Sequence, residues 1–175
     1  MKVVYGSVYG HAKRYAESFA NSFNTKSISY KNIDRFKNED IIVYFGSLYA
    51  GGVKGLVKIK GRPKNFILVT VGLADPNKSE NTKSIMKSIK LAEEKLNFDI
   101  TKVFHLRGGI DYKHLKLHHK VMMRLLYMKI KKMPQEESND ENKTMINTYG
   151  GKVDFVDLSA LESIIDYVEN IVSKR

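Results

Sequence analysis

The chain predicts an α/β fold, a doubly wound five-stranded parallel sheet in the order 2-1-3-4-5, with residues 1–175 forming one domain. Three observations carry that expectation. Apolar runs of strand length alternate with stretches whose apolar residues recur at helical spacing. The runs at 41–45 and 66–71 are apolar on both faces, as strands are in the middle of a covered sheet. Three runs also end in small residues, at Gly6-Ser7, Gly46-Ser47 and Gly72.

The elements follow in order. Lys2 to Tyr5 is a β-type run ending at Gly6, and Ala12, Tyr15, Ala16, Phe19, Ala20 and Phe23 trace one helix face. Lys26 to Tyr30 reads as a short second strand, and Ile41 to Phe45 as the third. Val53, Leu56, Val57 and Ile59 suggest a short helix before the strand Phe66 to Val71. Ile85, Met86, Ile89, Ala92 and Leu96 give a helix over 79–96, with Leu91 off the stripe. Asp99 to Leu106 is the last strand. Residues 159–172 close the chain as a helix, with Ser159 as N-cap and Glu162 completing a capping box.

Residues 107–152 are too long for a simple connection. Arg107, Lys113, Lys116, Lys120, Arg124, Lys129, Lys131 and Lys132 stand there against one acid, Asp111. Leu115, Val121, Met122, Leu125, Leu126, Met128, Ile130 and Met133 are interleaved, which predicts a helix over about 115–132 with one apolar and one basic side. The fold is therefore expected to carry a basic helical insert at about 107–150, near the last strand. The polar stretch with Glu136, Glu137, Asp140 and Glu141 reads as loop.

Composition narrows the chemistry. There is no cysteine, which excludes disulfides, iron–sulfur ligation and thiol catalysis. The opening residues are too short an apolar run for a signal peptide, and no stretch approaches transmembrane length. The expectation is a cytoplasmic protein, or one peripheral at the inner face of the cell membrane. Lys and Arg number 30 against 19 Asp and Glu, a formal net charge of +11, which favours anionic partners. His114 and His118 have no carboxylate or cysteine set at ligand spacing, so no metal site is expected.

In a doubly wound sheet, ligands bind beyond the carboxyl ends of the strands, where strand order reverses. The loop Gly6-Ser7-Val8-Tyr9-Gly10-His11-Ala12 runs directly into a helix. Amides at a helix N-terminus, together with a hydroxyl, hold a phosphate. Ser7 supplies the hydroxyl, and Gly10 allows close backbone approach. The strand-end loops rule out two sibling folds. The third strand ends Phe45-Gly46-Ser47 with no aspartate for phosphorylation, and no G-x-G-x-x-G follows the first strand.

Val4 to Ala12 resembles the FMN-phosphate signature of the flavodoxins, with Ser7, Gly10 and Ala12 matching and Tyr9 and His11 departing from the usual small residues. The resemblance implies an FMN site formed by Ser7, Val8, Tyr9, Gly10, His11 and Ala12, by Ser47, Leu48, Tyr49, Ala50 and Gly51, and by Gly72, Leu73, Ala74 and Asp75. Tyr49 is the expected stacker on the flavin ring. Asp75, before Pro76, also fits a plain turn residue.

Arg107-Gly108-Gly109-Ile110-Asp111-Tyr112, followed by a basic helix rich in Met and Leu, resembles the menaquinone-dependent, flavodoxin-like protoporphyrinogen oxidases of haem biosynthesis. That resemblance implies an FMN-dependent oxidoreductase taking electrons from a reduced anionic substrate to a quinone. The flavin would do the redox chemistry, and Arg107, Lys113 and Lys116 would meet substrate carboxylates or lipid head groups. The alternative is a non-catalytic electron carrier docking a redox-protein partner through complementary charge. A basic nucleic-acid module is a remoter reading, since only Tyr112 and Tyr127 offer stacking surfaces within 107–132.

Overall fold

Alternating β-branched and aromatic residues build a sheet apolar on both faces. The computed structural model describes residues 1–33, 36–37, 40–49, 51–134, 138 and 140–174, with backbone alone at 140 and 141. Strand β1 (Lys2–Gly6) runs parallel to β2 (Ser27–Ser29) on one side and β3 (Ile41–Tyr49) on the other. After β3 the chain turns back as β4 (Gly52–Val53), antiparallel to β3, with Leu48 opposite Val53 and Tyr49 opposite Gly52. Next come β5 (Asn65–Gly72), parallel to β3, and β6 (Lys102–Arg107), parallel to β5. The path reads β2-β1-β3-β5-β6, with β4 off it as a sixth strand rather than the expected five in all. Where a short helix was expected at 53–59, there is β4 and then a single 3-10 turn, Leu56–Lys58. The Gly51-Gly52 pair lets the chain reverse onto β3 before a helix can start.

Side chains leave successive residues on opposite faces, so each strand feeds two cores. Val3, Val43, Phe45, Ile67 and Val69 pack against α1 (His11–Ser22) and α5 (Glu162–Ser173). Val4, Ile42, Tyr44, Phe66 and Leu68 pack on the other face with Leu56 and with Ile89 and Ala92 of α2 (Ser79–Glu93). Both sets are buried, and Leu91, off the stripe of α2, is exposed. Truncating a fully buried aromatic such as Phe19 should cost about 3–5 kcal/mol through lost transfer energy and the cavity left behind.

The start of the last helix differs from the expected capping box. Asp157 accepts hydrogen bonds from the Ser159 amide at 3.0 Å and the Ser159 hydroxyl at 2.7 Å, and a 3-10 turn, Leu158–Leu161, leads into α5 at Glu162. A carboxylate accepts two donors at once, so Asp157 takes the capping role and Ser159 becomes its donor.

Residues after β6 leave the sheet and return through a narrow neck. There β7 (Gly109–Asp111) pairs antiparallel with β8 (Lys152–Asp154). Between them lie a 3-10 turn (Tyr112–His114), α3 (Leu117–Lys131) and α4 (Asp140–Thr148). The stretch read as loop thus contains α4 from Asp140 onward, while Glu136 and Glu137 lie outside the described residues. Two apolar faces, not one, mark α3. Met122, Met123, Leu126 and Ile130 turn toward the sheet's loops, and Leu117, Val121, Leu125 and Met128 turn outward. The basic residues run along its flanks instead of holding a side of their own.

Candidate functional site

The loop after β1 is shaped by what sits beneath it. A Cβ on Gly6 would overlap the Lys54 carbonyl oxygen, which itself accepts the Tyr44 hydroxyl at 2.6 Å. Ser7 Oγ accepts the Gly10 amide at 3.0 Å and pulls the loop into a tight turn. Gly10 has φ +96°, and beyond its chain neighbours no atom of the described residues lies within 4 Å of where its Cβ would stand. Helix α1 begins at the next residue with no side-chain cap and no acid in its first turn. The Arg14 amide reaches back to the Gly10 carbonyl at 2.9 Å, while the first-turn amides before it have no acceptor within the helix. Open backbone, orphan donors and a positive helix end meet here, as an anion requires.

A cavity of about 590 Å³ lies beyond this loop, within the range of small-molecule sites. Val8, Tyr9 and His11 line it from the first loop, and Gly72, Leu73 and Ala74 from the end of β5 and the loop after it. Between them, Ser47, Leu48 and Tyr49 lie in β3 itself, which runs past the expected end at Phe45 because β4 pairs with it, and Gly51 and Gly52 lie at the turn into β4. The neck adds Gly108, Gly109 and Ile110. Leu115, the inner face of α3 with His119, and Met145 of α4 form an apolar roof.

The roof is pinned to two of these loops. The Tyr9 hydroxyl and His119 Nδ1 share a hydrogen bond, and the Tyr49 ring lies 4.6 Å from the His119 ring, centroid to centroid. His119 is buried, and that burial, with His118, Lys116 and Lys54 adding positive charge nearby, holds its pKa below the ordinary histidine value. The ring is therefore neutral near pH 7. Burial raises the Tyr9 pKa, against the Lys116 amide at 3.4 Å, so the phenol keeps its proton. His11 packs against the neck, and a Cβ on Gly109 would stand 2.8 Å from its Nε2.

A model of the Flavodoxin domain family matches residues 2–138. The chain belongs to the flavodoxin domain family. No curated protein matches it. Flavodoxin domains typically bind FMN, and the residues of this flavodoxin domain fit that group. The α1 amides and the Ser7–Gly10 turn suit a phosphate, and Tyr49, Leu48 and Leu73 line the cavity where a flat ring would lie. Backbone groups of the second and third loops suit the ring's polar edge.

The two first-loop residues that depart from the flavodoxin signature, Tyr9 and His11, are the two that touch the roof and its neck. Their larger side chains trade the usual small-residue contacts for packing against the excursion.

Some sequence-derived candidates lie elsewhere. Ser7, Gly10 and Ala12 do not line the cavity: Ser7 is an acceptor within the turn, Gly10 faces open space and Ala12 lies in the core. Asp75 Oδ1 accepts the Asn77 amide at 3.0 Å and the Asp75 carbonyl accepts Asn81 Nδ2 at 2.9 Å, so it shapes the turn into α2. Ala50 lies outside the described residues. Arg107 faces a second, smaller cleft, with its guanidinium 3.8 Å from the centre of the Phe155 ring. Lys113 and Lys116 are exposed beside the start of α3 and do not line the cavity.

Sequence reading did not find His119, Met123, Met145 or the neck glycines Gly108 and Gly109 as site residues. The spacing of Leu115, His119, Met122, Leu126 and Ile130 marks one helix stripe, yet the outward stripe of the same helix is just as apolar.

Proposed function

We propose that the protein binds FMN in this cavity and oxidises a reduced substrate held beneath the α3–α4 roof. The observation that carries the reading is the roof itself: apolar side chains of α3 close over the two loops that would flank the flavin ring. A carrier that passes electrons directly to a protein partner needs the ring edge open to that partner. A roofed cavity instead suits a small substrate enclosed away from water.

When bound, FMN supplies the two-electron chemistry that the chain's own side chains cannot. The first loop would hold its phosphate and Tyr49 its ring. The roof, with His119 in it, would exclude water. The finer reading is a protoporphyrinogen oxidase passing electrons to a quinone. The run from Arg107 to Tyr112 and the Met- and Leu-rich helix after it support that reading. Lys113 and Lys116, at the edge of the roof, would meet its carboxylates.

Two measurements test this in sequence. Purified protein titrated with FMN should quench flavin fluorescence and shift the flavin's visible bands, and no uptake would refute the cofactor assignment. FMN-loaded protein should then oxidise protoporphyrinogen with a menaquinone analogue as acceptor. Loaded protein that turns over no small molecule but accepts electrons from a flavodoxin reductase would be a carrier instead.

A further inference from the structure

Helix α3 turns one apolar face to the cavity and leaves the opposite one uncovered. Leu117 is 79% exposed, Val121 52%, Leu125 63% and Met128 47%. Their spacing of four, four and three residues places them on a single stripe. Large apolar side chains in one contiguous exposed row mark a contact surface, whereas single ones do not. Lys120, Arg124 and Lys131 border the stripe on one side, and Lys129 and Lys132 on the other, all exposed. The helix itself contains no acid.

We infer that this outward face of α3 docks on the surface of an anionic lipid bilayer, with the helix lying in the plane of the interface. Apolar side chains flanked on both sides by cations suit that environment, where the stripe enters the acyl boundary and the bases meet head groups. The other occupants suit the face less well. A second copy paired face to face would set these cations against themselves. A nucleic acid would find aliphatic residues where stacking surfaces are needed, since Tyr127 is already stacked on Tyr149. No helix among the described residues is long and apolar enough to cross a membrane, so the contact would be peripheral. The inference stands on the outward face alone and holds whether or not the cavity takes FMN.

The test is co-sedimentation of the full chain with vesicles of phosphatidylglycerol and phosphatidylcholine, and with vesicles of phosphatidylcholine alone. Wild type should bind the anionic vesicles, and part of that binding should survive about 0.5 M salt, where exposed charges are screened. The double variant Leu117→Ser/Leu125→Ser should bind about tenfold or more weakly, and Arg124→Glu/Lys129→Glu should lose the preference for anionic lipid. Wild type that ignores anionic vesicles, or a Leu117→Ser/Leu125→Ser variant that binds as wild type does, would overturn the inference. So would a dimer, seen by light scattering without vesicle binding, that the same double variant splits. FMN titration of these variants should match wild type, because none of the four residues lines the cavity. Absent FMN uptake with intact vesicle binding would refute the proposed function and leave this surface standing.

Discussion

Tyr9 and His119, 110 residues apart in the chain, are joined by a hydrogen bond that ties the first loop of the sheet to the helix roofing the cavity. Neither side chain would be placed there by its own element. The bond makes the roof part of the same structure as the loop that would hold a phosphate.

Tyr9→Phe should therefore loosen the roof while leaving the sheet intact. Removing one hydrogen bond at a partly buried site should lower stability by about 1 kcal/mol, read as a shift in the urea midpoint. Cleavage by a protease should rise within 115–131 and stay unchanged in β1, β3 and β5. Unchanged cleavage throughout would mean that packing alone holds the roof.

Three histidines have pKa values lowered in the folded chain: His11, His105 and His119, each with burial as the leading cause. Each binds its proton more readily when unfolded. Their contribution to stability is thus complete above the unfolded histidine value of about 6.5 and falls as pH drops through the folded values. Urea midpoints measured between pH 8 and pH 5 should decline below about 6.5, and His119→Phe should flatten part of that decline. A flat profile in wild type would contradict the burial of these rings.

Ser7→Ala and Gly10→Val separate two parts of the phosphate loop. The first removes the acceptor of the Gly10 amide and should weaken FMN binding by about 1 kcal/mol. The second forces a β-branched residue to φ +96° and fills the open side of the turn, so affinity should fall much further. Equal FMN affinities for the two variants would place the phosphate elsewhere.

Gly6→Ala should be among the most damaging single changes. The added methyl has no room beside the Lys54 carbonyl, which is held in place by the Tyr44 hydroxyl. Overpacking against rigid backbone should cost about 3 kcal/mol or more, measured by thermal or urea unfolding. Gly51→Ala, with open space around it but φ +76°, should cost only about 1 kcal/mol of backbone strain.

Much of the framework was legible because local rules were obeyed. Ile41 to Phe45 and, but for Thr70, Phe66 to Val71 are apolar on both faces, as only a strand covered on both sides tolerates. The glycines that end β1 and β5, and the Gly46-Ser47 pair within β3, pointed to loops gathered at one end of the sheet. The misses arose where two local choices competed. At 53–59 helical spacing was present, but the reversal at Gly51-Gly52 turned the chain into β4 first. At 157–159 the expected cap was Ser159, but the Asp157 carboxylate accepts both its amide and its hydroxyl and takes that place.

The sequence alone determined the alternation of strands and helices and the glycine-bounded loops, because hydrophobic period and turn chemistry act within a few residues of one another. Only the tertiary structure decided which apolar face of α3 closes the cavity and which stays outside. Periodicity marks a face as apolar without naming what it meets. The choice was made by contacts between distant segments, His119 against Tyr9 and Tyr49, and by the β7–β8 neck that aims the helix across the loops.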